Sequence, residues 1–121
     1  MAKVIKKTEK MIDATGRTLG RVASLAAVSL MGKDSPSFKR EAFSGAPVMV
    51  KNAGKIRITT KKLEELSHNR YSGYPGGLKT HSGAHTAKTK GMRELVRLAV
   101  YRMLPGNKLR KEMMKNLTIE E

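Results

Sequence analysis

Cysteine is absent from this 121-residue chain. That excludes a disulfide framework, a thiolate zinc site, an iron–sulfur cluster and a thiol nucleophile, and it is compatible with a reducing compartment. Carboxylates are scarce, 10 against 25 Lys and Arg. They are scattered as well, so no paired acids stand ready for general acid–base work, and no Ser/His/Asp set accompanies them. No run of about 18 apolar residues is present to cross a bilayer. The start, Met1-Ala2-Lys3-Val4-Ile5-Lys6-Lys7, lacks an apolar stretch of signal-peptide length. No long helix pairs a wide apolar face with a basic one, which argues against a membrane-surface protein. The expectation is a soluble, intracellular chain with no catalytic site, metal, cofactor, membrane partner or small-molecule substrate.

What is abundant is positive charge. The formal net charge is +15, which raises self-repulsion in a free monomer and calls for a partner that cancels it. Residues 1–60 carry 12 basic and 4 acidic side chains, and residues 61–121 carry 13 and 6. A basic tail on a neutral domain is therefore excluded; the domain is positive over much of its surface. From Leu66 to Arg93 there is no carboxylate, but five Lys or Arg and all three histidines. Within that stretch lies Arg70-Tyr71-Ser72-Gly73-Tyr74-Pro75-Gly76-Gly77-Leu78-Lys79. Pro75 restricts φ, the glycines allow close backbone approach, and Tyr71 and Tyr74 offer flat faces beside the cations. Such a segment suits a polynucleotide surface. The competing reading is a mobile, solvated glycine loop.

The chain reads as one domain spanning residues 1–121, large enough for a modest core. Met11-Ile12 forms a short strand before an Asp13–Gly16 turn, and Thr18 stands at the N-cap of a helix from Leu19 to Met31, stopped by Gly32. That helix is apolar nearly all round, which predicts burial on more than one side. Asp34-Ser35-Pro36-Ser37 is a loop. Strands follow at Val48-Met49-Val50 and at Ile56-Arg57-Ile58-Thr59, separated by a turn at Asn52–Lys55. The polar segment over about 66–90 reads as an extension leaving the domain body. A second helix, Gly91 to Met103, turns Met92, Leu95, Val96, Ala99 and Met103 inward and leaves Arg93, Arg97 and Arg102 outside. Leu104-Pro105-Gly106 breaks it, Asn107 caps a short helix reaching Lys115 with Leu109 and Met113 inward, and Leu117-Thr118-Ile119 forms a last strand. This order is that of a small α/β unit with helices on both faces of a sheet.

Gly16-Arg17-Thr18-Leu19-Gly20-Arg21 sits where a strand turns into a helix. Exposed amides, the helix dipole and two arginines favour a phosphate there, and RNA phosphate fits better than a mononucleotide. It is neither a P-loop nor a dinucleotide fingerprint, because the required residues and spacing are missing. The competing reading is a plain N-cap with two solvated arginines. Asp13 suits the turn better than catalysis. His81 and His85 are four apart, but Gly83 lies between them and no third ligand is near, so contact with phosphate or water suits them better than metal. Lys61-Lys62 joins the same positive footprint. A DNA-binding protein and a small nucleotide-using enzyme are the rival readings; RNA preference over duplex DNA separates the first, and saturable mononucleotide binding the second.

Three motifs in this order resemble one family: Asp13-Ala14-Thr15-Gly16-Arg17-Thr18-Leu19-Gly20-Arg21, Ser72-Gly73-Tyr74-Pro75-Gly76-Gly77-Leu78-Lys79, and Met103-Leu104-Pro105-Gly106-Asn107-Lys108-Leu109. The chain is similar to the universal large-subunit ribosomal protein L13 family, bacterial type, from Met11 to Ile119. The resemblance implies a small three-layer α/β/α domain around a short parallel sheet, with the glycine-rich basic extension added. It implies a structural role in the large ribosomal subunit, in the cytoplasm, with binding to large-subunit ribosomal RNA early in assembly and neighbouring large-subunit proteins as partners. The rRNA contacts it implies are Arg17 and Arg21, Arg70, Tyr71, Tyr74 and Lys79, then Arg102, Asn107, Lys108, Arg110 and Lys111, with Lys61 and Lys62 in the same footprint. The sequence departs from the family pattern at Lys10-Met11-Ile12, Gly45-Ala46, Thr59-Thr60-Lys61-Lys62 and Arg102.

Overall fold

A computed structural model describes residues 9–36, 38–41 and 46–121. Ser37, at the end of the expected loop, and Gly45 lie outside the described residues. Three strands, β1 (Lys10–Asp13), β2 (Val48–Lys51) and β5 (Leu117–Ile119), form a parallel sheet in the order β1-β2-β5. Met11 pairs with Met49, and Met49 with Thr118. Alternate residues point to opposite faces of a strand, so Ile12, Val48, Val50 and Ile119 share one face and enter the core. The other face carries Met11, 61% exposed, and Thr118, also exposed.

Parallel neighbours need crossovers. α1 (Leu19–Met31) provides the first. α4 (Met92–Met103) and α5 (Leu109–Lys115) lie in the second, and α4 packs directly on α1. The small residues Ala23, Ala26 and Ala27 of α1 are buried together with Val96 and Val100 of α4. Gly32 ends α1, its N–H donating to the carbonyls of Val28 and Ser29. α1 is buried on more than one side, as expected, against α4 and against β1 and β2, but one flank stays open. Leu25 is 44% and Val28 40% exposed, because neither the sheet nor α4 reaches that flank. α4 differs from its predicted stripe in the same way: Val100 is buried, whereas Met103 is 42% exposed at the helix end.

The third expected strand is not one. Ile56-Arg57-Ile58-Thr59 makes a single parallel bridge, Arg57 to Thr18. Thr59 instead caps α2 (Thr60–Glu65), its hydroxyl accepting the Lys62 N–H at 3.3 Å. The alternation therefore seats Ile56 in the core without a ladder. The polar segment after α2 is more ordered than its composition suggested. It forms an antiparallel ribbon, β3 (Ser67–Tyr71) and β4 (Leu78–Ser82), and then α3 (Gly83–Lys90). Gly83, taken from the sequence as an argument against a helix here, occupies the first helical position. A Cβ there would meet the Leu63 carbonyl oxygen and Leu66 Cβ, each at 2.9 Å. Glycine is needed for that close approach, and the Ser82 hydroxyl caps the helix by accepting the His85 N–H at 3.2 Å.

Asp13 holds the turn that aims α1. Its carboxylate accepts the Thr15 N–H at 3.0 Å and the Asn52 side-chain amide at 3.1 Å. These bonds, led by the Thr15 amide, push its pKa from 3.8 down to about 2. The folded carboxyl thus holds its proton less tightly than the unfolded chain's. Its contribution to stability is complete above the ordinary value and is lost as pH falls through about 2. An NMR titration of the Asp13 carboxyl carbon is expected to give a midpoint near 2, and a midpoint at the ordinary value of 3.8 would contradict these bonds. In urea denaturation, Leu30→Ala is expected to cost about 2–5 kcal/mol, as deletions of a fully buried leucine do. Val28→Ser, on the open flank of the same helix, is expected to stay within about 0.5 kcal/mol.

Candidate nucleic-acid interface

Arg17 and Arg21 flank the start of α1, as the motif spacing requires, and a third cation joins them. Arg57 donates its backbone N–H to the Arg17 carbonyl at 2.9 Å. The three arginines line an open hollow of about 640 Å³ together with Gly16, Thr18 and Gly20. The first amides of any α-helix have no acceptor within it, and the Thr18 hydroxyl does not cap them. Uncapped amides, the positive helix end and three guanidinium groups together favour an anion. Arg57 was missed as a site residue because its strand-like neighbours gave no hint that the chain returns to Arg17.

The ribbon carries the second cluster. Arg70 stands directly opposite Lys79, and His68 opposite His81. Residues two apart share a face, so all four line the same side of the ribbon. Like charges directly opposite each other destabilise a strand pair, and among the described residues neither Arg70 nor Lys79 makes an ion pair. Tyr71 is on the other face, paired with Leu78, and both are exposed. It therefore does not flank Arg70 as the sequence alone suggested. At the tip, Tyr74-Pro75-Gly76-Gly77 turns the chain, the Gly77 N–H donating to the Tyr74 carbonyl at 2.9 Å. Gly76 has φ +74, the conformation a type II turn demands after proline. Tyr74 is thereby left 75% exposed.

Between the ribbon, α3 and α4 runs a groove of about 730 Å³. Arg70 reaches it from the ribbon, His81 and His85 stack at 5.4 Å between ring centroids, and Tyr101 of α4 closes the far side. Tyr101 also joins this groove to the third motif. Its hydroxyl accepts Arg110 Nη2 at 2.8 Å, and the Arg110 guanidinium lies 3.9 Å above its ring centroid. Asn107 is engaged in capping, its side chain accepting the Leu109 N–H at 3.1 Å. Lys108, just before α5, and Lys111 on it are exposed. Among the described residues no group of three His, Asp or Glu is arranged to hold a metal.

Lys62 and Arg102 meet at a third place, a smaller cleft beside Gly20. Lys61 points away and pairs with Glu65 at 3.9 Å. Arg102 donates to the Ser67 carbonyl at 3.5 Å. His68 lines the same cleft. Burial and the nearby Arg102 hold its imidazole pKa below the ordinary 6.5. The candidate cations thus form a first cluster at α1, a second on the ribbon, and a smaller set on α5 tied in through Tyr101. Among the described residues no helix is long and apolar enough to cross a membrane.

Known proteins match along the same span. The family described as Ribosomal protein L13 matches residues 7–120. The chain is 44% identical over 115 residues to the large ribosomal subunit protein uL13 of Roseobacter denitrificans, covering 95% of this chain and 74% of that protein. It is 46% identical over 109 residues to the protein of the same name from Aquifex aeolicus, covering 90% and 75%. The corresponding protein of Thermosipho africanus is 41% identical over 115 residues, covering 95% and 76%.

Proposed function

The chain belongs to the ribosomal protein L13 family, and from that premise we propose that it is a constituent of the large ribosomal subunit that binds large-subunit rRNA and helps early subunit assembly. Membership makes it a structural ribosomal component and not an enzyme. The observation that carries the RNA reading is the ribbon face on which Arg70 opposes Lys79 and His68 opposes His81 with no carboxylate among them. In the free protein that pairing is repulsive. Against a phosphate backbone each cation replaces condensed counterions, and the repulsion becomes affinity.

Each cluster contributes differently. The hollow at α1 offers amides and guanidinium groups, which suit one phosphate held at short range. The ribbon projects a narrow cationic edge with Tyr74 at its tip, a shape that enters between RNA segments and stacks on an unpaired base. Lys108, Lys111 and the Tyr101-braced Arg110 extend the positive surface. Arg17, Arg21, Lys61, Lys62, Arg70, Tyr71, Tyr74, Lys79, Arg102, Asn107, Lys108, Arg110 and Lys111 are the proposed contacts, and Arg57 joins them. Neighbouring large-subunit proteins are the further partners, and the ribosome in the cytoplasm is the location.

Replacing Arg70 and Lys79 by Glu is expected to weaken binding to large-subunit rRNA at least tenfold and to leave the thermal unfolding midpoint nearly unchanged, because neither residue enters the core. Normal incorporation of the double mutant into subunits would refute the ribbon's role. Affinity of the unmodified protein is expected to fall steeply as salt rises, with a log–log slope reporting several phosphate contacts. A flat profile in a filter-binding titration would remove the electrostatic account.

A further inference from the structure

We propose that the cleft between the first turn of α1 and the last turn of α4 receives one unpaired nucleobase of RNA. This rests on the RNA-binding function proposed above and adds to it a site for a base, where that function needed only phosphate contacts. The cleft encloses about 240 Å³, a space on the scale of a single planar ring system and small for a drug-sized ligand. Leu19, Leu66, Leu95, Ala99 and Met103 supply apolar walls. Lys62 and Arg102, both exposed, stand at the same cleft.

Two further observations select a nucleobase over an aliphatic side chain from a neighbouring protein. His68 borders the cleft, and its two ring nitrogens are the buried side-chain polar atoms without a hydrogen-bond partner among the described residues. An orphaned buried polar group is costly and points to a partner supplied from outside. A base edge carries donors and acceptors together and can satisfy an imidazole in either tautomer, after a small ring rotation; an aliphatic side chain leaves it orphaned. Gly20 belongs both to this cleft and to the arginine hollow. Apart from its chain neighbours and its own helix backbone, no atom lies within 4 Å of where its Cβ would be, so no side chain stands between the two sites at Gly20. A base in the cleft has its own phosphates within reach of Lys62 and Arg102, and the next phosphate along the strand can occupy the hollow of Arg17, Arg21 and Arg57. Met103 suits such a wall, since a thioether adapts its shape and packs well on aromatic rings.

The test uses the full chain and two hexaribonucleotides of identical sequence, one with 2-aminopurine at the third position and one with an abasic ribose there. The affinity of both oligomers is measured by the fluorescence anisotropy of a fluorescein carried on the 5′ end of each, and seating of the base is followed by 2-aminopurine fluorescence and by the Met103 ε-methyl resonance. The abasic oligomer is expected to bind about tenfold more weakly, the order expected for losing one stacked base, and to leave the methyl resonance unshifted. Met103→Ala is expected to abolish that difference while the salt dependence stays as it was; Met103→Leu is expected to keep the difference. Equal binding of the two oligomers, discrimination that survives Met103→Ala, or no binding of either at millimolar concentration would each overturn the proposal. Salt-dependent binding of large-subunit rRNA in the same preparation separates the two levels. If it persists, only the base site falls; if it is also absent, the RNA-binding function falls with it.

Discussion

Close packing of α1 on α4 above the three-stranded sheet is the contact on which the other features depend. Ala23, Ala26 and Ala27 are small enough for α4 to approach and bury Val96 and Val100 among them. Helix axes approach more closely where the contact residues are small. Here that approach brings the first turn of α1 beside the last turn of α4, where the Ser24 hydroxyl donates to Met103 Sδ at 3.4 Å. The arginine hollow and the apolar cleft both lie at that junction. Larger side chains at the three alanines would separate the helices and pull Arg17 and Arg21 away from Lys62 and Arg102.

Around that core most of the cations among the described residues have no ion-pair partner. The ion pairs among the described residues are few: Lys10 with Asp34, Lys61 with Glu65, and Arg97 with Glu94. Exposed pairs of this kind contribute little. The cations of the ribbon and of the α1 hollow make none of them. Cross-strand repulsion between Arg70 and Lys79 lowers the stability of the free ribbon, which two antiparallel strands alone hold only marginally. α3, packed against α2 and α4, anchors the end of β4 and keeps the ribbon at a fixed place on the domain. A rigid base and a repulsive, exposed tip suit a segment whose counterion comes with its partner.

Local signals marked the elements whose cues were close in sequence. The Thr18 and Gly32 boundaries of α1, the Pro47-led strand β2 and the Pro105 break after α4 could all be read from neighbouring residues. The elements between 56 and 90 could not. Ile56 and Ile58 alternate as a strand would, but the ladder partner they need is not there, and Thr59 diverts the chain into α2. The ribbon has almost no apolar residues to reveal its period, and its register follows from hydrogen bonds alone. α3 was hidden because Gly83 is normally a poor helix residue; only its contact with Leu63 and Leu66 shows why it is needed. On α1, the apolar pattern overstated burial because periodicity records hydrophobicity without recording what lies opposite.

Composition and short motifs were enough to determine a cysteine-free, strongly cationic α/β domain with an arginine-flanked helix start and a glycine-rich basic turn. Those are properties of residue types at fixed chain spacing, and chain spacing is what a sequence contains. Tertiary structure decided that Arg57 completes the hollow with Arg17 and Arg21, that Tyr71 turns away from Arg70, that Tyr101 braces Arg110, and that the ring nitrogens of His68 are buried without a hydrogen-bond partner among the described residues. Each of these depends on residues brought together from separate elements, or on which side of a strand faces the body. Packing sets such relations, and no local pattern encodes them.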